Sequence, residues 1–427
     1  MRALLADTRP LRTPEFRRLW IAEIISLVGA QLTVVAVPAQ IYEITRSSAY
    51  VGLTGAFGLV PLVIFGLYGG ALADVMDRRS LLRITTVGLI VSSGLLWVQA
   101  AMGLQNIWVL LALFSLQQAF FAVNLPTRSA VLPRILPPEQ LPAANSLNMT
   151  VLQFGAIAGP LVGGVLLPVF GFELLYLIDT ITLFATLWAV IALPVLPPDG
   201  TAPKAGLRSV LDGFVYLRGH KVLLMSFLVD IIAMLFGMPR ALFPQIAHES
   251  FGGPTDGGLV FALLFAAIPA GAVIGGVFSG WVSRTERQGL AVILAILVWG
   301  LAIAVFGVAI GFAHGSHATT LLMVALVALA VAGAADMASA AFRSTMLMTA
   351  ASDDVRGRLQ GVFTVVVAGG PRLADVAHGG VAALVGTSAA AAGGGVLVIV
   401  VVTAAALAVP VFVRYRVTGM GAVHDKV

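Results

Sequence analysis

From residue 18 to residue 413 the chain alternates long apolar runs with brief clusters of charge, glycine and proline. The runs fall near residues 18–43, 49–73, 81–102, 106–131, 142–168, 172–193, 221–246, 257–282, 288–311, 318–342, 358–384 and 388–413. Each is long enough to cross about 30 Å of hydrocarbon at about 1.5 Å per residue. A backbone in lipid must satisfy its own polar groups, so runs of this length are expected to be helices. Barrel strands would be shorter and would alternate apolar with polar residues. The expected fold is therefore an all-α membrane protein with twelve transmembrane helices. Composition agrees: 59% of the 427 residues are hydrophobic and 11% charged, which leaves no room for a separate soluble domain. There is no cysteine, which excludes disulfides and thiolate-held metals. Residues 1–18 are basic but lack a short apolar core with a small-residue cleavage site, so the first span is expected to stay in the mature protein.

Charge placement orients the chain. Twenty of the 25 basic residues lie on one side of the twelve spans, only Arg46 on the other, and Arg128, Arg240, Arg343 and Arg372 within spans or at their ends. The positive-inside rule then places both termini in the cytoplasm, and the net charge of +5 reads as topology rather than as a nucleic-acid footprint. The longest connection, residues 194–220, separates an N-terminal half, 1–193, from a C-terminal half, 221–427. Within it Leu207, Val210, Leu211, Phe214 and Leu217 recur at helical spacing beside Arg208, Asp212 and Arg218, which predicts a short amphipathic helix at the membrane surface. A packed linker helix explains the pattern equally well. Pro38 and Pro244, Gly52 and Gly258, Gly70 and Gly276, and Arg78 and Arg284 match at a constant offset, and Arg128 matches Arg343 after a short insertion. The two halves are read as a parallel repeat.

Two motifs stand out. The loop after span two holds Gly70, Leu72, Ala73, Asp74, Arg78 and Arg79: a small residue for close helix approach, an acid at a helix end, then a basic pair. Span five holds Gly155, Gly159, Pro160, Gly163 and Gly164, a glycine face that admits a neighbouring backbone and a proline that permits a kink. Together these resemble the signature loop and the span-five antiporter motif of the major facilitator superfamily. In this chain Asp77 stands where the loop's second glycine is usual and Val75 at its first basic position. Val35 to Gln40, Pro126 to Arg128 with Pro133, Ala144-Asn145, and Arg356 to Arg358 resemble its drug and siderophore exporter branch. The resemblance implies two six-helix halves, a signature loop that latches the cytoplasmic side, and a cavity lined by spans one, four, seven and ten; Asp336 and Arg343, seven apart on one face of span ten towards its cytoplasmic end, fit a gate network and a proton site equally well.

Ionisable groups at membrane depth are costly and become functional candidates. Glu23 lies in span one, Asp230 and Arg240 in span seven, Asp336 in span ten, and Arg372, Asp375 and His378 in span eleven. Asp230 is about 14 Å beyond Lys221 along the helix and is the first candidate for a protonatable carboxylate, with Asp336, Asp375 and Glu23 behind it. A fixed ion pair is the competing account of Asp230. Arg372 and Asp375, three apart, are expected to neutralise each other, His378 to cap the outer end, Glu23 to be solvated at the inner end, and Asp179 to make an interhelical hydrogen bond. Substrate contacts are expected from Arg240, Arg128, Gln31, Gln117, Asn124, Met234 and Phe236.

With no nucleotide-binding GxxxxGK[ST] loop, no nucleophile and base constellation and six scattered histidines, neither an enzyme, an ATP-driven pump, a metal site nor a cofactor is expected. The reading is a monomeric proton-coupled exporter of an amphipathic organic molecule in a bacterial inner membrane, with a siderophore as leading substrate. A macrolide-type drug pump, an importer or facilitator, and a non-transporting receptor of the same fold remain open alternatives at this stage.

Overall fold

A computed structural model describes residues 7–197, 215–313, 317–350 and 353–416. Among the described residues there are helices and turns and no strands. The helices are α1 (Pro14–Thr45), α2 (Ser48–Val75), α3 (Arg78–Ala101), α4 (Ile107–Ile135), α5 (Leu141–Ile191), α6 (Lys221–Gly237), α7 (Phe243–Glu249), α8 (Leu259–Val277), α9 (Gln288–Gly311), α10 (Ala318–Ala350), α11 (Asp353–Val385) and α12 (Thr387–Ala408). Ten stretches among the described residues are long and apolar enough to cross a membrane.

The arrangement is consistent with twelve spans once two local features are taken into account. Spans five and six run together as α5, broken only at Gly171, whose φ of 70° reverses the chain without an intervening loop. Glycine reaches that left-handed conformation without the penalty a Cβ would impose. Span eleven, helical over Asp353–Val385, holds Arg372, Asp375 and His378 in its central part and is less apolar than the other spans. Span seven, expected to be continuous, instead stops at Gly237. Pro239 cannot donate the next helical hydrogen bond, and a 3-10 turn at Arg240–Leu242 leads into the short α7. Span eight ends sooner than expected, at Val277, and continues as a 3-10 turn over Ser279–Arg284.

Local chemistry sets several helix ends. Pro14 opens α1, Asp77 caps α3 by accepting from the Ser80 amide, and Asn106 caps α4 by accepting from the Trp108 and Val109 amides. The chain divides into two compact units. One comprises residues up to Arg46, Ala56–Gly206 and Gly253–Ala262; the other comprises Ser47–Gly55, Leu207–Gly252 and Leu263 onward. In the first, α5 lies along α1, and α3 packs on both α4 and α5. In the second, α9 packs between α10 and α12, while α6 lies against α11 and α12.

Large apolar side chains lie both in the interior and on the outer surface of the spans, unlike in a water-soluble protein. Leu384 is 86% exposed and Phe154 71%, whereas Arg343 and Asp230 are buried. Apolar side chains face outward where lipid solvates them, and the few charges turn inward towards partners. Residues 198–214, with Leu207, Val210, Leu211 and Phe214 of the expected amphipathic helix, lie outside the described residues. Leu217, at the end of that pattern, is buried with Leu223, Phe227, Leu347 and Val366.

Candidate functional site

The second unit gathers its charges in two clusters. In the first, Asp230 of α6 forms an ion pair with Arg343 of α10. Arg343 also donates from Nε to Ser339 Oγ, one turn back, at 3.2 Å. Asp336, two turns before Arg343, lies within electrostatic reach of both Arg343 and Asp230. Asp336 and Arg343, seven residues apart and so on one face of α10, are thereby linked electrostatically to Asp230 of α6.

The second cluster lies where span seven breaks. The 3-10 turn after Pro239 carries Arg240 against α11, and Arg240 Nη2 donates to Asp375 Oδ2 at 3.3 Å. Arg372 is electrostatically coupled to both Arg240 and Asp375. Asp375, expected to neutralise Arg372 on its own helix, is coupled to it and also accepts from Arg240, because the helix break brings that second guanidinium within reach. His378, expected to cap an exposed end, is buried, with Nδ1 3.2 Å from the Ala374 carbonyl. Met234 packs on Gly370 of α11, and the Phe236 carbonyl faces Gly394 of α12.

In the first unit Glu23 of α1 pairs with Arg128 of α4 at 3.0 Å, and Arg128 also donates to the Leu19 carbonyl at 3.0 Å. Glu23 is accordingly a partnered, largely buried acid rather than a solvated end residue. Two amides expected to face substrate are engaged within the helix packing. Asn124 donates to Thr85 Oγ1 at 2.8 Å, and Gln117 donates to Asp179 Oδ2 at 3.2 Å. Asp179 also accepts from Thr33 and from Ser93, each at 2.8 Å. Close by, Tyr176 donates to Gln40 Oε1 at 2.8 Å, and Gln40 and Gln99 exchange amide hydrogen bonds.

The span-five glycines form the seam between α5 and α1. Gly155 faces Leu27, Gly159 faces Gln31, and Gly163 leaves 3.2 Å between an added Cβ and Leu32. Gly164 accepts from the Gly258 amide at 2.8 Å and lies against Ala262. Gln31 thus packs against Gly159 at the seam and is half-buried.

The family model described as transmembrane secretion effector, of major facilitator type, matches residues 6–418. The chain belongs to that family. Among its relatives are the enterobactin exporters of Shigella boydii serotype 18, 31% identical, and of Escherichia coli O1:K1, 30% identical; each match spans 87% of this chain and 86% of the relative. Solved structures with the same fold include a mutant of the nucleoside transporter NupG, with a TM-score of 0.73 at 14% identity, covering 92% of this chain and 99% of that one. A mutant of the peptide transporter POT also scores 0.73, at 13% identity, covering 95% and 96%. The protein is a multi-pass membrane transporter of the major facilitator fold, not an enzyme.

The signature loop of this transmembrane secretion effector grips the end of α5. Asp77 Oδ1 accepts from the Leu196 amide at 2.7 Å while Oδ2 accepts from the Ser80 amide at 2.8 Å. The Arg78 amide donates to the Leu196 carbonyl at 3.1 Å, and Arg79 Nη2 to the Ile191 carbonyl at 2.6 Å. Partial burial opposes ionisation of Asp77, but donors from Ser80, Leu196 and Arg79 outweigh it and hold the carboxyl below its ordinary value. Gly70 and Asp74 lie on the helical backbone of α2, and their side-chain positions lie outside the described set. Sequence reasoning passed over Thr33, Ser93, Gln99, Tyr176 and Ser339. Their only signal is a polar side chain inside an apolar run, a weak one because Ser and Thr can bond their own helix.

Proposed function

We propose that this protein exports a siderophore of the enterobactin kind across a bacterial inner membrane, driven by inward movement of protons. The observation that carries the substrate class is the 31% identity to an enterobactin exporter over 87% of this chain and 86% of that protein. Both termini lie in the cytoplasm, and the chain works as a monomer built from halves 1–193 and 221–427 joined by 194–220. Transport exposes a substrate site alternately to the two sides.

The geometry of the second unit supports this assignment. Asp230 and Asp336 share Arg343, so that cluster reaches electroneutrality when one of its two acids carries a proton. Arg240 and Arg372 against the single acid Asp375 leave positive charge suited to an anionic chelator, and Arg240 is the more exposed member of its pair. Glu23 with Arg128 offers a further charged pair on helices that line the cavity in this superfamily. The Gly70–Asp74–Arg78–Arg79 loop acts as a cytoplasmic latch, with Arg343 at the inner end of α10. A macrolide-type drug is the second reading, favoured by Met234 and Phe236 beside the Arg240 cluster, which offer adaptable apolar contact.

Inverted membrane vesicles with an imposed pH gradient test the assignment. Enterobactin uptake that depends on the gradient and falls in Asp230→Asn is the expected result. Gradient-independent uptake removes the proton-driven mechanism, and macrolide uptake without enterobactin uptake replaces the substrate.

A further inference from the structure

We propose that Asp179 is a proton-binding site in the first unit, switching between carboxylate and carboxylic acid within a ring of neutral donors, and that its proton is one the transporter carries. This rests on the reading of the protein as a proton-driven exporter.

Asp179 lies on the second arm of α5 with 1% of its surface exposed. Its Oδ2 accepts from Thr33 of α1, Ser93 of α3 and Gln117 of α4. Its Oδ1 is buried without a hydrogen-bond partner. Asp230 and Asp375 each hold an arginine, whereas among the described residues no cationic side chain pairs with Asp179. The titratable group nearest to it is Tyr176, one turn back on its own helix, whose hydroxyl is engaged with Gln40. The facing groups from α1, α3 and α4 are the neutral Thr33, Ser93 and Gln117.

An ionised carboxylate without a countercharge is costly in a low-dielectric interior, and three neutral donors compensate only part of that cost. A proton on Oδ1 removes the charge and leaves Oδ2 accepting from all three donors, so both forms fit the same ring. Asp230 lacks this property, because protonation would remove the ionic attraction to Arg343. The three donors come from three helices. Withdrawal of α1 removes Thr33 from the ring and changes the balance between the two forms, which ties helix movement to proton binding. The only bond made or broken is the O–H bond at Oδ1, with the proton taken from water and returned to water. A purely architectural hydrogen-bond hub needs only the acceptor Oδ2 and has no use for the second, unpartnered oxygen.

Infrared difference spectra of the purified full-length protein, recorded between about pH 5 and about pH 9, read the site without any substrate. A carboxylic-acid C=O band that grows on acidification, is lost in Asp179→Asn, persists in Asp230→Asn and shifts in frequency in Thr33→Val is expected. Identical pH-difference spectra for wild type and Asp179→Asn overturn the proposal. Should Asp179→Asn fail to fold, an unshifted band in Thr33→Val overturns it instead. In vesicles Asp179→Asn is expected to lower gradient-driven export by about tenfold; undiminished gradient-driven export overturns the proposal. A titrating Asp179 band in a wild-type protein that exports no siderophore would sink the export reading alone.

Discussion

Arg343 of α10 and Asp230 of α6 form an ion pair with only 4% and 2% of their side chains exposed, and Asp336 lies within electrostatic reach of the same guanidinium. The two sides of this pair are not equivalent. Losing the arginine leaves two mutually repelling acids without their cation, whereas losing Asp230 leaves Arg343 with Asp336. Removing one member of a buried pair costs about 3–5 kcal/mol. Arg343→Met is therefore expected to lower the thermal midpoint in detergent more than Asp230→Asn, and the double variant to recover part of the loss. Equal losses in the two single variants would refute the shared-arginine geometry.

The Arg240–Asp375 pair is a weaker contact, with the arginine side chain 35% exposed. Solvent screening limits such a pair to about 1 kcal/mol. A double-mutant cycle with Arg240→Gln and Asp375→Asn should return a coupling of that size and show it shrinking at high salt. A salt-independent coupling several times larger would mean that the pair is sealed from water.

Asp77 caps α3 and holds the Leu196 amide, so Asp77→Ala removes two acceptor roles together. A lost N-cap costs about 1 kcal/mol. Because the folded carboxyl is held below its ordinary value, its contribution is present above the unfolded value of about 3.9 and is lost as pH falls through the folded value. Thermal midpoints recorded on an acid series should therefore converge for wild type and Asp77→Ala at the lowest pH. Curves that stay parallel throughout would contradict the ionised cap.

The glycine seam predicts a graded series. A methyl at 163 meets Leu32 at 3.2 Å, a gap that a small adjustment opens, and a methyl at 155 meets the flexible end of Leu27. At 159 the obstacle is the Cβ of Gln31, and at 164 it includes the Ala262 backbone, at 3.0 Å from its Cα. Gly159→Ala and Gly164→Ala are expected to cost about 1–3 kcal/mol and to reduce transport, with Gly163→Ala near wild type. Melting curves and vesicle uptake for the four alanine variants give the order directly.

Much of the architecture was legible before any coordinates, because a lipid solvent makes long apolar runs and the asymmetry of Arg and Lys informative. The partners of the buried charges were much less so. Helical spacing relates Arg372 to Asp375 along one helix, but no spacing rule shows that Pro239 would end α6 and bring Arg240 to Asp375. An ion pair is one of the two sequence accounts of Asp230, but no spacing names Arg343 as the partner, since it lies on a helix distant in sequence. Asp179 was expected to make one interhelical bond; the convergence of Thr33, Ser93 and Gln117 on it depends on four helices meeting, which no local pattern encodes. Asp77 looked like a departure from a glycine position and in the fold is a cap and a clasp.

Gly171 joins the two arms of α5 with one residue. So short a joint cannot act as a tether and behaves as an elbow of fixed reach. The first arm is geared to α1 through its glycines, and the second carries Asp179 against Thr33 of the same helix. A rotation of α1 is therefore met at two levels by one continuous lever, so slippage along the glycine seam is delivered to the buried carboxyl rather than dissipated in a loop.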